Sequence, residues 1–373
     1  ADLASKMGYE VNGCDISTGG HDVSHLQGVD LLVVTPAVFW QSAKHPEFLE
    51  GQKRGIVITW QEFLGKILLK NKKVIAVAGT HGKSTTTAMT AKLLVDNGFD
   101  PVCVIGAYVP EWGGNSRFGK GEYAVVEADE FNDNFLNYSP EIAIITNIEF
   151  DHPDYFENEA QLRKSFEMFK ASLVGSKILI TERDSLGKRF NLKIWGEHNQ
   201  KNANLVYVLG QKLGIKSKEI IKSLESFAGI GRRMEFLGKT KSGAVVYDDY
   251  AHHPTAIRVT LEGLREKFPK AKILSIIEAH GFKRTKALLA KYKGAFAASD
   301  KVIIGPIFKA RDTKTYGMTP EKIAQASRHP DVKTAKNLKE ITDHCSLITD
   351  HYDVIIVMGA GRSNLWARKL LEI

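Results

Sequence analysis

A glycine turn followed at once by lysine and a hydroxyl residue can grip phosphate, provided a strand precedes it and a helix follows. Gly79-Thr80-His81-Gly82-Lys83-Ser84-Thr85 has this form, after the apolar run Val74-Ile75-Ala76-Val77-Ala78. Glycines let backbone amides close on phosphate oxygens, and a helix N-terminus adds favourable partial charge. Lys83 is expected to reach the β- and γ-phosphates of a nucleotide, and the Ser84 hydroxyl to ligate Mg²⁺. The usual first glycine of a phosphate loop falls at Val77, so the match is to a shorter GxxGK[ST] form. The plain alternative is a helix-capping turn that happens to hold Lys and Ser. A strand before it and a helix after it (Ala88, Ala91, Leu94 and Val95 on one side, Gly98 at its end) favour the phosphate loop.

Two further apolar runs end in candidate metal ligands. Tyr123 to Val126 leads into Glu127-Ala128-Asp129-Glu130, and Ile142 to Thr146 leads into Asn147-Ile148-Glu149-Phe150-Asp151-His152. A carboxylate and a neutral imidazole suit Mg²⁺ or Mn²⁺ when phosphate oxygens and water complete the shell. Ser84, Glu127 and His152 are therefore the expected metal set. Taken singly, a strand-end acid is as often a helix cap, and a lone histidine is more often structural.

Positioning such groups requires a parallel sheet, because ligand chemistry gathers at the carboxyl ends of parallel strands. The pattern supplies one. Short continuous apolar runs at Val29 to Thr35, Val74 to Ala78, Tyr123 to Val126, Ile142 to Thr146, Ala244 to Tyr247, Ile273 to Ile277, Val302 to Ile304 and Val354 to Met358 alternate with helical periodicity. That is the signature of buried strands in α/β units. The helix after Pro254 puts Ile257, Leu261, Leu264 and Phe268 on one face. Three segments are expected: residues 1–70, 71–230 and 231–373, with Gly229 and Gly231 marking the second seam.

The bulk composition narrows the partners. The 373 residues are 43% hydrophobic and 25% charged, a globular balance. Apolar runs such as Leu31 to Val34 and Ile355 to Met358 are too short to cross a bilayer. No basic-then-apolar leader opens the sequence, so the expectation is a cytoplasmic protein without membrane insertion. Cys14, Cys103 and Cys345 form no CxxC pair, which argues against a disulfide frame or a zinc site. The net charge of +8 suits small polyanions as well as nucleic acid. No basic stripe with interleaved aromatics appears, so nucleic acid is not expected.

Together these motifs resemble the Mur ligase family. Gly79 to Thr85 looks like its ATP loop, and Glu127-Ala128-Asp129-Glu130 with Thr146 to Phe156 resembles its central metal motifs. Gly196-Glu197-His198-Asn199 with Asn202-Ala203 is similar to its adenine-side element, and Gly231-Arg232-Arg233-Met234-Glu235 to its hinge. Asp248-Asp249-Tyr250-Ala251-His252-His253-Pro254 resembles the signature of members that add the first residue, or a recycled peptide, to UDP-N-acetylmuramate. His280-Gly281-Phe282-Lys283-Arg284-Thr285 and Ala310-Arg311-Asp312 are closer to the alanine-adding pattern. Near the start, Gly8-Tyr9-Glu10-Val11 through Asp15, Gly20-His21-Asp22 and Thr35-Pro36-Ala37 resemble the UDP-binding domain.

The resemblance implies an α/β protein of three domains: a UDP-binding Rossmann-like domain, a P-loop ATPase-like central domain and a Rossmann-like C-terminal domain. It implies a monomeric or homodimeric ATP-dependent ligase, using Mg²⁺ or Mn²⁺, that joins L-alanine to the lactyl carboxylate of UDP-N-acetylmuramate through an acyl phosphate. Lys83, Glu127, His152, Arg232 and His280 would act at the reacting groups. Asn199, Asn202 and Asp249 would face the nucleoside. Gly20, His21, Thr35, His253 and Arg284 would hold the sugar nucleotide and amino acid, with Arg284 on the alanine carboxylate. Two departures stand out. The family's opening strand and GxGGxGM loop do not precede Ala1, so the first domain is expected to be N-terminally incomplete. The stretch from Asp184 to Gly196 is also shorter than the family usually shows. Other readings are a recycling ligase for an intact tripeptide, a catalytically impaired nucleotide-binding relative, a simple P-loop kinase and a polyglutamate-type ligase. The last two leave the DDYAHHP block unexplained.

Overall fold

Strand β3 (Lys73–Ala78) carries the phosphate loop, and every residue of it after Lys73 is buried. A strand apolar on both faces belongs in the middle of a covered parallel sheet, and that is where it lies. In a computed structural model describing residues 1–14, 20–36, 38–41, 45–346 and 351–372, it is a central strand of a six-stranded sheet. The other members are β4 (Val102–Val109), β5 (Gly114–Arg117), β6 (Tyr123–Glu127), β7 (Ile142–Ile145) and β8 (Ile178–Thr181), in the order β5-β4-β6-β3-β7-β8. All pairings are parallel except β4 with β5. Because β3 lies between β6 and β7, the loops after these three strands open at one edge of the sheet.

The helix Lys83–Asp96 leaves the phosphate loop and is buried on nearly all sides, threonines included. It packs between the sheet and the helices Glu197–Lys212 and Ser217–Ser226. On the other face, Phe135, Phe166 and Phe169 fill the core, with Phe135 stacked on Phe169 at 4.7 Å.

A second six-stranded sheet contains β9 (Glu235–Lys239), β10 (Val245–Asp249), β11 (Ile273–Glu278), β12 (Lys301–Ile304), β13 (Val332–Thr334) and β14 (Val354–Gly359). Its order is β13-β12-β11-β14-β10-β9, parallel but for edge strand β9. The amphipathic helix Pro254–Lys267 buries Ile257, Leu261 and Leu264 against it. Residues near the start contribute a parallel pair, β1 (Leu32–Val34) and β2 (Val57–Thr59). The expected α/β architecture is thus present. Asp15 and Ala37, part of the N-terminal motifs, lie outside the described residues. The short stretch after Asp184 runs without strand to the helix beginning at Glu197.

Candidate active site

The carboxyl ends of both large sheets face one cleft of about 2950 Å³. Its walls include the phosphate loop, Glu127, Asp129, His152, Asn199, Asn202, His253, His280 and Arg284, with Thr35 from the first segment.

The phosphate loop is shaped from outside. Gly79 has φ 130°, and a Cβ there would sit 2.1 Å from the Thr146 hydroxyl, which itself donates to the His81 carbonyl at 2.6 Å. Asn147 accepts the His81 N–H at 3.0 Å. Thr80 donates to the Glu149 carbonyl at 2.8 Å and accepts the Glu149 N–H at 2.9 Å. The segment after β7 therefore sets the loop's conformation. Gly82 has φ 83°, and a Cβ there would meet the Asn202 side chain at 2.6 Å, so Asn202 lies directly against the loop. Asn199 is tied to the Trp195 carbonyl at 2.6 Å and accepts from Asn202 at 3.4 Å.

Lys83 donates to the Gly79 carbonyl at 2.6 Å and to Glu130 at 2.8 Å. Burial opposes its charge, but the Glu130 and Asp129 carboxylates outweigh that and hold it above the usual lysine range. Its ammonium charge is thus secure. The buried Glu130, last of the strand-end acids after Tyr123 to Val126, is thus the ion-pair partner of Lys83.

The expected metal set falls into two adjoining groups. Ser84 donates to Glu127 at 3.0 Å, and the second Glu127 oxygen accepts the Gly106 N–H at 2.6 Å. His152, with left-handed φ 53°, gathers instead with Asp129 and Glu130. Its Nε2 lies 4.0 Å from Glu130 Oε1, a buried oxygen with no hydrogen-bond partner among the described residues. An orphaned buried carboxylate oxygen is costly unless a cation or proton satisfies it.

Across the cleft, several residues sit differently from expectation. Arg232 turns into its own domain, bonding Asp248 at 3.1 Å, the Gly359 carbonyl at 2.7 Å and Ser363 at 3.0 Å. Its neighbour Arg233 points toward the phosphate loop, 3.5 Å from Ser84 Oγ. Arg232 is held at φ 55°, and both guanidinium groups lie over the Tyr250 ring, at 5.3 and 4.9 Å from its centroid. Asp249 is buried, and it spends its oxygens on the Met234 N–H at 2.7 Å and the Ala251 N–H at 2.7 Å, which shapes the hinge.

Arg284, expected at the alanine carboxylate, forms a two-pronged pair with Asp151 at 2.7 and 2.5 Å. Burial opposes ionisation of Asp151, but the guanidinium overcomes it and holds the carboxyl well below its usual range. Glu149 adds to this clasp between the sheets. It accepts from Thr255 at 2.8 Å and Lys291 at 2.6 Å through one oxygen, and meets His81 Nε2 at 3.1 Å through the other. The spacing of these acids after a strand signalled ligands; nothing in the sequence signalled that they would bridge to residues more than a hundred positions away.

His253 caps the helix Pro254–Lys267, accepting the Thr255 N–H at 3.2 Å through Nδ1, while its buried Nε2 has no hydrogen-bond partner among the described residues. Its ring lies 4.7 Å from that of His81. His280 stacks on Phe308 at 5.3 Å and lies 5.4 Å from His252. Burial, then neighbouring cations, pushes His280 down to about 4; burial also takes His253 to about 4. Both are therefore neutral at physiological pH. In the first segment Gly20 has φ 80°, and His21 lies 3.4 Å from Glu47.

Comparison with known proteins agrees with this geometry. Residues 77–201 match the family model of the Mur ligase middle domain, and residues 232–361 that of the Mur ligase, glutamate ligase domain. The UDP-N-acetylmuramate–L-alanine ligase of Desulfitobacterium hafniense is 34% identical, over 88% of this chain and 83% of that protein. That of Aquifex aeolicus is 31% identical over 100% of this chain and 94% of its own length. The Aquifex alignment spans 434 positions against 373 residues here, so this chain is the shorter within the matched span. Among solved structures, the UDP-N-acetylmuramate–alanine ligase of Thermotoga maritima has a TM-score of 0.76 at 25% identity, covering 99% of this chain and 89% of that one. A murein peptide ligase from Psychrobacter arcticus shares the fold, with a TM-score of 0.65 at 24% identity over 94% and 87% of the two chains. With two matching domain models and relatives aligned over nearly their whole length, the chain belongs to the Mur ligase family.

Proposed function

We propose that this chain joins L-alanine to the lactyl carboxylate of UDP-N-acetylmuramate, cleaving ATP to ADP and phosphate. The observation that carries the reading is coverage: relatives bearing that activity's name align over 83% and 94% of their own lengths, through the phosphate loop and the DDYAHHP block alike. The tripeptide-recycling alternative has the weaker likeness, a shared fold at 24% identity.

A carboxylate resists attack by an amine because its charge repels nucleophiles and it offers no leaving group. Transfer of the γ-phosphoryl group to one carboxylate oxygen forms an acyl phosphate and releases ADP. The amine then attacks the carbonyl carbon, and phosphate leaves with that oxygen. The protein's work is positioning and charge neutralisation. Lys83, kept charged by Glu130 and Asp129, would swing from the Gly79 carbonyl onto the β- and γ-phosphates. The amides of the phosphate loop would wrap them, and Arg233 approaches from the opposite wall. Asn202, against Gly82, and Asn199, which accepts its hydrogen bond, would face the nucleoside.

The donor set fits hard cations: Ser84 and Glu127 in one group, and His152 with Asp129 and the orphaned Glu130 oxygen in the other. Bound there, Mg²⁺ would offset the negative charge of the phosphates. His280 lines the cleft with its ring kept neutral by burial and neighbouring cations, so it would present an uncharged imidazole to the incoming amine. Clasped on Asp151, Arg284 would hold the two halves closed and exclude water from the acyl phosphate. Thr35, Gly20 and His21 belong to the segment that would receive the sugar nucleotide.

The test is phosphate release from ATP and Mg²⁺ with UDP-N-acetylmuramate, adding L-alanine, L-serine, glycine or the recycled tripeptide singly. Release requiring both the sugar nucleotide and L-alanine is expected. Stimulation by the tripeptide alone would move the activity to recycling, and no sugar-dependent release would overturn the ligase reading.

A further inference from the structure

Away from the phosphate loop, three pieces of the first segment bring together a thiol, imidazoles and a carboxylate. Glu47 lies in the first turn of the helix Pro46–Arg54, whose N-terminus is capped by His45. It is buried, and among the described residues no lysine or arginine pairs with it. Cys14 Sγ lies 3.2 and 3.0 Å from its two oxygens, and His21 Nδ1 lies 3.4 Å from Oε2. Cys14 and His21 are themselves 3.4 Å apart. His25 Nδ1 meets the other oxygen, Oε1, at 2.6 Å.

These three mutual distances are those of donors around one ion. Zinc–ligand bonds of about 2.3 Å to sulfur and about 2.0–2.1 Å to nitrogen and oxygen place tetrahedral donors roughly 3.3–3.6 Å apart. The Cys14, His21 and Glu47 donor atoms all lie within 4.8 Å of one another, close to that spacing. Thiolate and carboxylate together would balance a divalent charge. His25 would orient the carboxylate from outside, as groups behind a metal's ligands do. The His21 ring is steadied by His45, with centroids 4.0 Å apart.

We propose that Cys14, His21 and Glu47 bind a thiophilic divalent cation of the zinc type, with His25 positioning Glu47. Isolated cysteines argued against zinc in the sequence; folding supplies the missing ligands from residues seven and thirty-three positions away. Sulfur and imidazole select zinc over magnesium and calcium. They also separate this site from Asp129, Glu130 and His152, which offer no sulfur. Although His21 also figures in the sugar-nucleotide reading, the metal is read out through the thiolate, so either reading can fail alone.

The experiment uses the full 373-residue chain, reduced and stripped with chelator, and titrated with Co²⁺ alone. A thiolate-to-cobalt charge-transfer band saturating at about one equivalent, and bleached by Zn²⁺, is expected. Cys14→Ser should abolish the band; serine keeps a hydroxyl that can donate to Glu47 in place of the thiol. His25→Ala should keep the band and weaken zinc binding on the order of 10- to 100-fold. Iodoacetamide provides a second readout. Zn²⁺ should slow alkylation of Cys14, whereas Cys103 and Cys345 are buried, with thiols pushed up to about 12, and stay silent. Absence of the band, a band that survives Cys14→Ser, or alkylation indifferent to Zn²⁺ would overturn the proposal.

Discussion

Replacing Arg284 by methionine removes the cation from a pair whose side chains are 8% and 7% exposed. Asp151 follows β7 of one sheet and Arg284 sits in the helix Phe282–Ala287 after β11 of the other, so the pair spans the cleft. Without the guanidinium, an ionised Asp151 left in place costs about 3–5 kcal/mol. The alternative is to open the cleft and hydrate the carboxylate. Opening gives up Glu149 with Lys291 and Arg311 with Asp154, pairs in which the side chains are 27–48% exposed. Such pairs contribute about 1 kcal/mol or less each. Opening is therefore the cheaper response by about 1–3 kcal/mol, and the closed form should become the minor one by about one to two orders of magnitude, at about 1.4 kcal/mol per tenfold. Small-angle scattering should show a larger radius of gyration for Arg284→Met, and alanine-dependent turnover should fall by a comparable factor. Adding Asp151→Asn removes the stranded charge and should restore the compact profile. If Arg284→Met scatters like the parent and only the KM for the amino acid rises, Arg284 is a substrate ligand and the clasp argument is wrong.

Two other substitutions probe the site's electrostatics. Lys83→Met should cut ATP-dependent turnover by about 10²–10³-fold, the usual loss when a preorganised charge is removed. It also strands Glu130, so the melting temperature should drop; Glu130→Gln in the same chain should recover stability without recovering turnover, and recovery of both would contradict the assigned role. His253→Asn keeps a helix-capping side chain but discards a group whose folded pKa, lowered by burial to about 4, lies below the usual histidine value of about 6.5. Between those values the unfolded chain takes up a proton that the folded chain refuses. The parent therefore loses up to about 1.4 kcal/mol of stability per pH unit on acidification through this window. Urea midpoints measured near neutrality and about two pH units lower should fall less for the variant; equal falls would show that His253 titrates freely.

Much of this was legible in the sequence because central strands speak loudly. β3, β6, β7, β11, β12 and β14 are continuous apolar runs, and each was placed from that pattern alone. Strands at or near sheet edges carry little such signal: β5 is Gly-Asn-Ser-Arg, β13 only Val-Lys-Thr, and β9 is interrupted by Gly238. Local chemistry behaved likewise. The phosphate loop and the Ser84–Glu127 contact follow from strand, turn and helix in a known order. The partners of Arg232, Arg284 and Glu149 do not, since they depend on how one sheet meets another. A charged side chain in a motif announces a role, but burial and the nearest opposite charge decide whether it faces substrate or braces the fold. Arg232 and Arg233 make the point: adjacent, identical in type and both over the Tyr250 ring, one bonds Asp248 and the Gly359 carbonyl while the other reaches Ser84.

The central claim is that this cleft activates a carboxylate by phosphorylation and delivers it to an amine. UDP-N-acetylmuramate labelled with ¹⁸O in its lactyl carboxylate tests this most directly, incubated with ATP, Mg²⁺ and L-alanine and analysed by mass spectrometry. The account predicts an alanyl product formed in step with ADP, and one label atom carried into each phosphate released. Unlabelled phosphate, or ATP cleavage without any alanyl product, would contradict it.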